Sequence, residues 1–110
     1  MKRVIYHPQA NRDLIDAALY YDRRHAGLGE RFLVAVEETE SAAQANPAHG
    51  IVRPFQTRQR SVRRFPYGLI FREYDDHILI VAVAHFSRDP SFWHPRMPES
   101  KLDDASPEVS

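Results

Sequence analysis

The first half of the chain repeats its apolar residues at helical spacing. From Pro8 to about His25 they return every three or four positions, and a proline in the first turn of a helix costs no hydrogen bond. A second amphipathic segment runs from Glu30 to Ala45, and Asn46-Pro47 ends it. The short, glycine-containing connection between the two segments predicts a helical hairpin.

Strand-like patterns make up the rest of the chain. Arg3 to Tyr6 predicts a short first strand, and Ala48 to Thr57 is expected to be a loop. Three strands are then predicted, over Gln59 to Phe65, Leu69 to Tyr74 and His77 to Phe86. The last strand is apolar at alternating and intervening positions alike, which predicts a central strand covered on both faces.

This order of elements predicts an α+β fold of the form β-α-α-β-β-β. The helical hairpin would pack on one face of a mainly antiparallel sheet, and a short helical turn would follow Pro90. We expect residues 1–96 to form a single domain. Residues 97–110 contain two prolines and are net acidic, which predicts a disordered C-terminal tail.

Composition narrows the class of protein. The 110 residues suffice for one modest core, and 43% of them are hydrophobic, as in an ordinary globular domain. Cysteine is absent, which excludes disulfides and thiolate chemistry. There is no signal-peptide pattern, and the longest apolar run is too short to span a bilayer, so we expect a cytoplasmic protein with no membrane partner.

Positive charge is concentrated in one part of a chain whose net charge is zero. No Asp or Glu occurs from Ser41 through Arg72, while six arginines fall there: Arg53, Arg58, Arg60, Arg63, Arg64 and Arg72. On a strand, Arg60 and Arg64 would share one face and Arg63 would lie on the other. Such a surface suits phosphate or an acidic protein segment. A solvated edge strand protected from aggregation by its charges is the alternative.

Further candidate residues follow the last predicted strand. His85 could transfer a proton near neutral pH or could be a structural histidine bonded to the backbone. Phe92 and Trp93 could stack on a base or pin a terminal turn to the sheet. His85 and His94 have no third His or Cys at a spacing that would complete a metal site with them. The predicted nucleic-acid or anion-binding set is Arg60, Arg63, Arg64, Arg72, Arg88, Trp93 and Arg96.

Three stretches, in order along the chain, carry a family resemblance. They are Tyr6 to Ala10 with Asp13-Leu14 after it, Arg63 to Arg72, and Ile80 to Pro90 followed by Trp93 and Arg96. Together they cover about residues 1–96. In this combination the chain resembles the RelE/ParE superfamily of toxins from bacterial type II toxin–antitoxin modules, also called plasmid stabilization proteins.

The resemblance implies a partner and two alternative activities. The partner would be a cognate antitoxin whose acidic or amphipathic C-terminal segment covers the basic face of the toxin. RelE-like members cut mRNA on the ribosome without a metal, whereas ParE-like members poison DNA gyrase. No cofactor is expected for either activity.

The chain departs from the RelE-like nucleases at two positions. Gly68 follows Tyr67 where those nucleases have an arginine, and Trp93 replaces their C-terminal tyrosine. The catalytic candidates are His85 for proton transfer, with Arg88 or Arg64 as the cation, and a second proton-transfer group has no candidate.

Whether the chain is an enzyme therefore stays open. Gyrase poisoning or another non-nuclease action is favoured over mRNA cleavage. A decayed toxin that only binds its antitoxin is a further alternative, as is a small RNA-binding protein unrelated to toxins.

Overall fold

A computed structural model describes residues 1–100. The elements in chain order are β1 (Arg3–Tyr6), α1 (Pro8–Arg24), α2 (Leu28–Ala45), β2 (Ile51–Arg53), β3 (Thr57–Ser61), β4 (Tyr67–Glu73), β5 (His77–His85) and a 3-10 turn (His94–Arg96). The strands form one sheet in the order β1-β5-β4-β3-β2, in which only β1 pairs in parallel. The predicted α+β fold is confirmed.

Two features of the predicted strands differ from the structure. The predicted loop contains β2, an edge strand whose Ile51 and Val52 are β-branched but too few to give a periodic signal. The predicted strand to Phe65 ends instead at Ser61, because Val62 donates its N–H to the carbonyl of Tyr67 and begins a turn. Arg64 adopts a left-handed φ of 72° in that turn.

The helical hairpin covers one face of the sheet, which we call the helix face. Its core contains Phe32 and Val36 of α2 packed against Leu69 and Ile80 of the sheet, all 1% exposed or less. The two helices approach closely at Gly29. A Cβ at this position would lie 2.4 Å from the carbonyl oxygen of Ala18, so only glycine permits this contact between the helices.

A β-bulge decides which face each residue of β5 occupies. Ile70 of β4 pairs with Ala82, but the next residue, Phe71, pairs with Ile80, which leaves Val81 as the extra residue. Val81 and Ala82 therefore both face away from the helices, on what we call the far face. The bulge reverses the alternation beyond it, as bulges do.

The C-terminal segment, residues 90–100, covers the far face. Trp93 and Met97 are fully buried there against Ile70 and Val81. Met97, one residue past the predicted domain boundary at residue 96, therefore belongs to this core. The remainder of the predicted tail, residues 101–110, lies outside the described residues.

An ion pair closes the outer edge of β5 where β1 stops. The last hydrogen bond between the β1 segment and β5 runs from the N–H of His7 to the carbonyl of Ile80, at 2.9 Å. Beyond it, Asp13 of α1 accepts the N–H of Val83 at 3.2 Å, and Arg96 donates to the carbonyl of Val81 at 2.9 Å. Arg96 also binds Asp13 with both terminal nitrogens, at 2.7 and 3.2 Å. Two side chains thus replace the missing strand.

Replacing Arg96 by methionine tests this role. Both side chains of the pair are only 9% exposed, so Arg96→Met leaves the Asp13 carboxylate buried without its counter-charge. We expect a loss of about 3–5 kcal/mol in the free energy of unfolding, measured by urea denaturation. The control is Arg3→Met at the exposed Arg3–Asp76 pair, with an expected loss of about 1 kcal/mol or less. Equal losses for the two variants would contradict the assignment.

Candidate functional site

His85 lies at the end of β5, on the helix face, because the bulge has reversed the alternation. Its ring contacts Tyr67 edge-on, with 5.1 Å between the ring centroids. Its Nδ1 accepts the backbone N–H of Ser87 at 3.0 Å and lies 2.8 Å from the Ser87 hydroxyl. This is the structural arrangement considered for His85, and it occupies one of the two ring nitrogens.

Arg88 is an exposed cation held by an aromatic ring. Its guanidinium lies 3.7 Å from the centre of the Phe92 ring, and that of Arg96 lies 5.1 Å from it. Within residues 1–100, no carboxylate lies within 4.0 Å of Arg88. Arg88 therefore remains available to an anion.

A cavity of about 120 Å³, the strand-end cavity, lies beside these residues. Arg53 of β2 reaches it across the sheet and donates to the carbonyl of Pro90 at 3.2 Å. Arg53 was not among the predicted site residues because its strand was taken for a loop; its place in the acid-free stretch was the available signal. The residues with polar side-chain atoms among those that line this cavity are Arg53, Gln59, His85, Arg88, Asp89 and Trp93.

Three predicted anion-binding residues are already engaged within the protein. Arg72 pairs with Glu99 at 2.9 Å and lies over the Tyr74 ring, while Arg96 is bound to Asp13. Trp93 is fully buried, so its ring cannot stack on a base from solution. These three side chains are therefore not free for an anion in this structure, and anion binding by the other residues of the predicted set stays a prediction.

Apart from Arg88, the remaining arginines of the predicted set lie on β3 or in the turn that follows it. Arg60 pairs with Leu69 on the helix face and donates to the carbonyl of Asn46 at 3.1 Å. Arg63 and Arg64 lie in the β3–β4 turn, so the prediction that Arg60 and Arg64 share a strand face does not hold. Arg64 does not line the strand-end cavity, whereas His85 and Arg88 both do, so the three catalytic candidates are not brought together.

A groove of about 940 Å³ separates the tip of the helical hairpin from the β3–β4 turn. We call it the hairpin groove. It is lined by Tyr21, Gly27, Leu28, Glu30, Arg31, Val34, Ala35, Glu38, Arg63, Arg64, Phe65 and Pro66. Aromatic rings pack beside it, with Tyr21 and Phe65 at 5.0 Å and Phe32 and Tyr67 at 4.9 Å between centroids.

Burial affects the tyrosines beside the groove. It raises the pKa of Tyr67, with Tyr21 and Tyr20 contributing, and it raises the pKa of Tyr21 as well. Both hydroxyls are therefore weaker acids than an ordinary tyrosine, which does not suit proton transfer at neutral pH.

The hairpin also carries an exposed apolar surface. Its large apolar side chains that are more than a third exposed are Ile15, Leu19, Tyr20, Leu33 and Val34. Ile15, Leu19 and Leu33 line a second, smaller groove between the helices, of about 310 Å³. Apolar residues grouped in this way mark an interaction surface more often than isolated ones do.

Neither a metal cluster nor a membrane helix is found in the part of the chain that the structure describes. No three His, Cys, Asp or Glu side chains are grouped there so as to hold a metal ion. No described helix combines the length and hydropathy that a bilayer crossing needs.

Comparisons with known proteins show the fold first. The chain is similar in fold to a solved structure described as "Chromosomal ParDE TA system from P. aeruginosa". The TM-score is 0.59 at 21% identity, over 77% of this chain and 96% of the other. At this identity the likeness shows the fold alone. No curated protein matches the chain in sequence.

The family follows from the sequence itself. The family described as "ParE toxin of type II toxin-antitoxin system, parDE" matches residues 4–90. The chain therefore belongs to the ParE toxin family, which confirms the RelE/ParE resemblance. Membership implies an antitoxin as a partner.

Proposed function

We propose that this chain is a growth-inhibiting toxin that acts in the cytoplasm without cutting RNA, with DNA gyrase as its target. The observation that supports this most is the closed far face of the sheet. Trp93 and Met97 fill it, and Arg72 and Arg96 are neutralised by carboxylates. A nuclease that tracks an RNA strand across a sheet needs an open basic surface with exposed aromatic rings.

The strand-end cavity also lacks the groups that metal-free cleavage requires. Such cleavage needs a base, a cation and an acid around the scissile phosphate. His85 is the candidate for proton transfer, but its ring packs against Tyr67 on the helix face. The other titratable group is Asp89, whose pKa is lowered by hydrogen bonds from the hydroxyl and N–H of Ser91, so it is a weak base.

Two assays on the purified protein separate the alternatives. We expect inhibition of gyrase supercoiling with accumulation of cleaved DNA, and no cuts in mRNA by primer extension after cell-free translation. Ribosome-dependent cleavage is the second candidate, supported by His85 and Arg88 lining the same cavity. Codon-phased cuts that vanish in His85→Ala and Arg88→Ala would overturn the gyrase proposal.

Induced expression tests whether the chain is an active toxin. We expect growth arrest when the chain is expressed without its antitoxin, and recovery when the neighbouring gene is co-expressed. Normal colony growth, with the protein detected in soluble form, would instead favour a decayed toxin that has kept only its binding function.

The antitoxin is proposed to dock in the hairpin groove. The groove joins apolar Val34 and Phe65 to the cations Arg31, Arg63 and Arg64, which outnumber the two glutamates that also line it. None of these cations has a carboxylate within 4.0 Å in residues 1–100. An amphipathic segment with acidic residues on its polar side would bury the apolar surface and neutralise the cations.

Charge reversal in the groove tests this docking site. We expect the double variant Arg63→Glu and Arg64→Glu to weaken antitoxin binding about tenfold or more, because it repels the acidic segment. Isothermal titration with the product of the adjoining gene gives the measurement. Arg3→Glu, on the exposed side of β1, is the control and should bind normally. If the double variant and the Arg3→Glu control lose the same affinity for the antitoxin, the groove is not the docking site.

A further inference from the structure

Two residues that line the strand-end cavity each carry a buried hydrogen-bond donor that has no partner within residues 1–100. They are the Nε of Arg53 and the indole Nε1 of Trp93, and no atom of the described residues accepts a bond from either. Both residues line the same cavity of about 120 Å³. A buried donor without an acceptor is costly, so two of them around one cavity indicate a site for an acceptor.

We propose that the strand-end cavity binds a phosphate group. Arg53 and Trp93 would donate to it from the inside, and the Arg88 guanidinium would close it from the solvent side. Arg88 is suited to this position because it is exposed, is held over Phe92 and has no carboxylate partner in the described chain.

The arrangement of the donors favours phosphate over a carboxylate. They come from separate elements: Arg53 from β2, Arg88 from the turn after β5, and Trp93 from the C-terminal segment. A tetrahedral oxyanion presents acceptors in several directions, whereas the oxygens of a carboxylate lie in one plane. Guanidinium groups form strong, charge-assisted hydrogen bonds with phosphate.

The charge balance of the cavity agrees with an anion. Arg53 and Arg88 face a single carboxylate, that of Asp89, and His85 also lines the wall. Oδ1 of Asp89 already accepts two bonds from Ser91, at 2.7 and 2.8 Å. The cavity volume corresponds to about four water molecules, which is enough for one phosphate group but not for a nucleoside.

This site does not depend on the proposed gyrase target. A phosphate group could come from a free nucleotide or from a nucleic-acid backbone, and the chemistry of the cavity is the same for both. In either case the rest of the ligand would lie outside the cavity, on the side of Arg88 and Phe86, which are exposed.

The single tryptophan of the chain makes the test direct. Trp93 is the only tryptophan, so one indole N–H resonance in a ¹⁵N-labelled sample reports on the cavity alone. Sodium phosphate is titrated at constant ionic strength against sodium chloride, and we expect a saturable shift of this resonance at millimolar phosphate. A nucleoside monophosphate and a short single-stranded oligonucleotide are then compared with phosphate, and the tighter of the two identifies the source.

Variants separate the site from general salt effects. Arg53→Met and Arg88→Met should each weaken phosphate binding about tenfold or more. Arg58→Met is the matched control, because Arg58 donates to the carbonyl of Gly50 and does not line the cavity. Arg88 is exposed, so its replacement tests binding even if Arg53→Met proves unstable by thermal unfolding. No shift with phosphate, or an equal shift in Arg88→Met and Arg58→Met, would overturn the proposal and leave the two donors to water.

Discussion

The central strand β5 is longer than its parallel neighbour β1. The fold depends on which groups form hydrogen bonds with the part of the β5 edge that β1 does not cover. Backbone groups at an uncovered, buried edge carry a large desolvation cost. Asp13 and Arg96 meet this need at Val83 and Val81, and they neutralise each other in doing so. One contact thereby fixes α1, β5 and the C-terminal segment relative to one another.

That contact also shapes the electrostatics of the surface. Because Arg96 is used to complete the sheet and Arg72 to hold Glu99, the positive charge that remains free lies in two separate places. One is the rim of the hairpin groove, beside apolar residues, and it suits a protein segment. The other is the strand-end cavity, which is small and polar and suits a compact anion. The free positive charge therefore forms two separate sites of different character and not one continuous basic surface.

The sequence predicted the α+β fold because the helical periodicities and the apolar run of β5 are strong local signals. It did not predict β2, since three residues carry too little pattern, and it therefore missed Arg53. The bulge at Val81 gives no signal in the sequence either, yet it determines that His85 lies on the helix face. The role of Arg96 could not be read locally either, because its partner, Asp13, is on the first helix. Charge segregation marked the arginines as candidates but could not tell that tertiary contacts neutralise Arg72 and Arg96.

The sequence separation within the Asp13–Arg96 pair has a consequence for folding kinetics. The two residues are 83 positions apart, so closing the pair carries the loop-closure entropy of most of the chain, and we expect it to form late in folding. Contacts that form after the rate-limiting step slow unfolding without accelerating folding. We therefore expect the pair to act chiefly on the unfolding rate, and so on the lifetime of the native state.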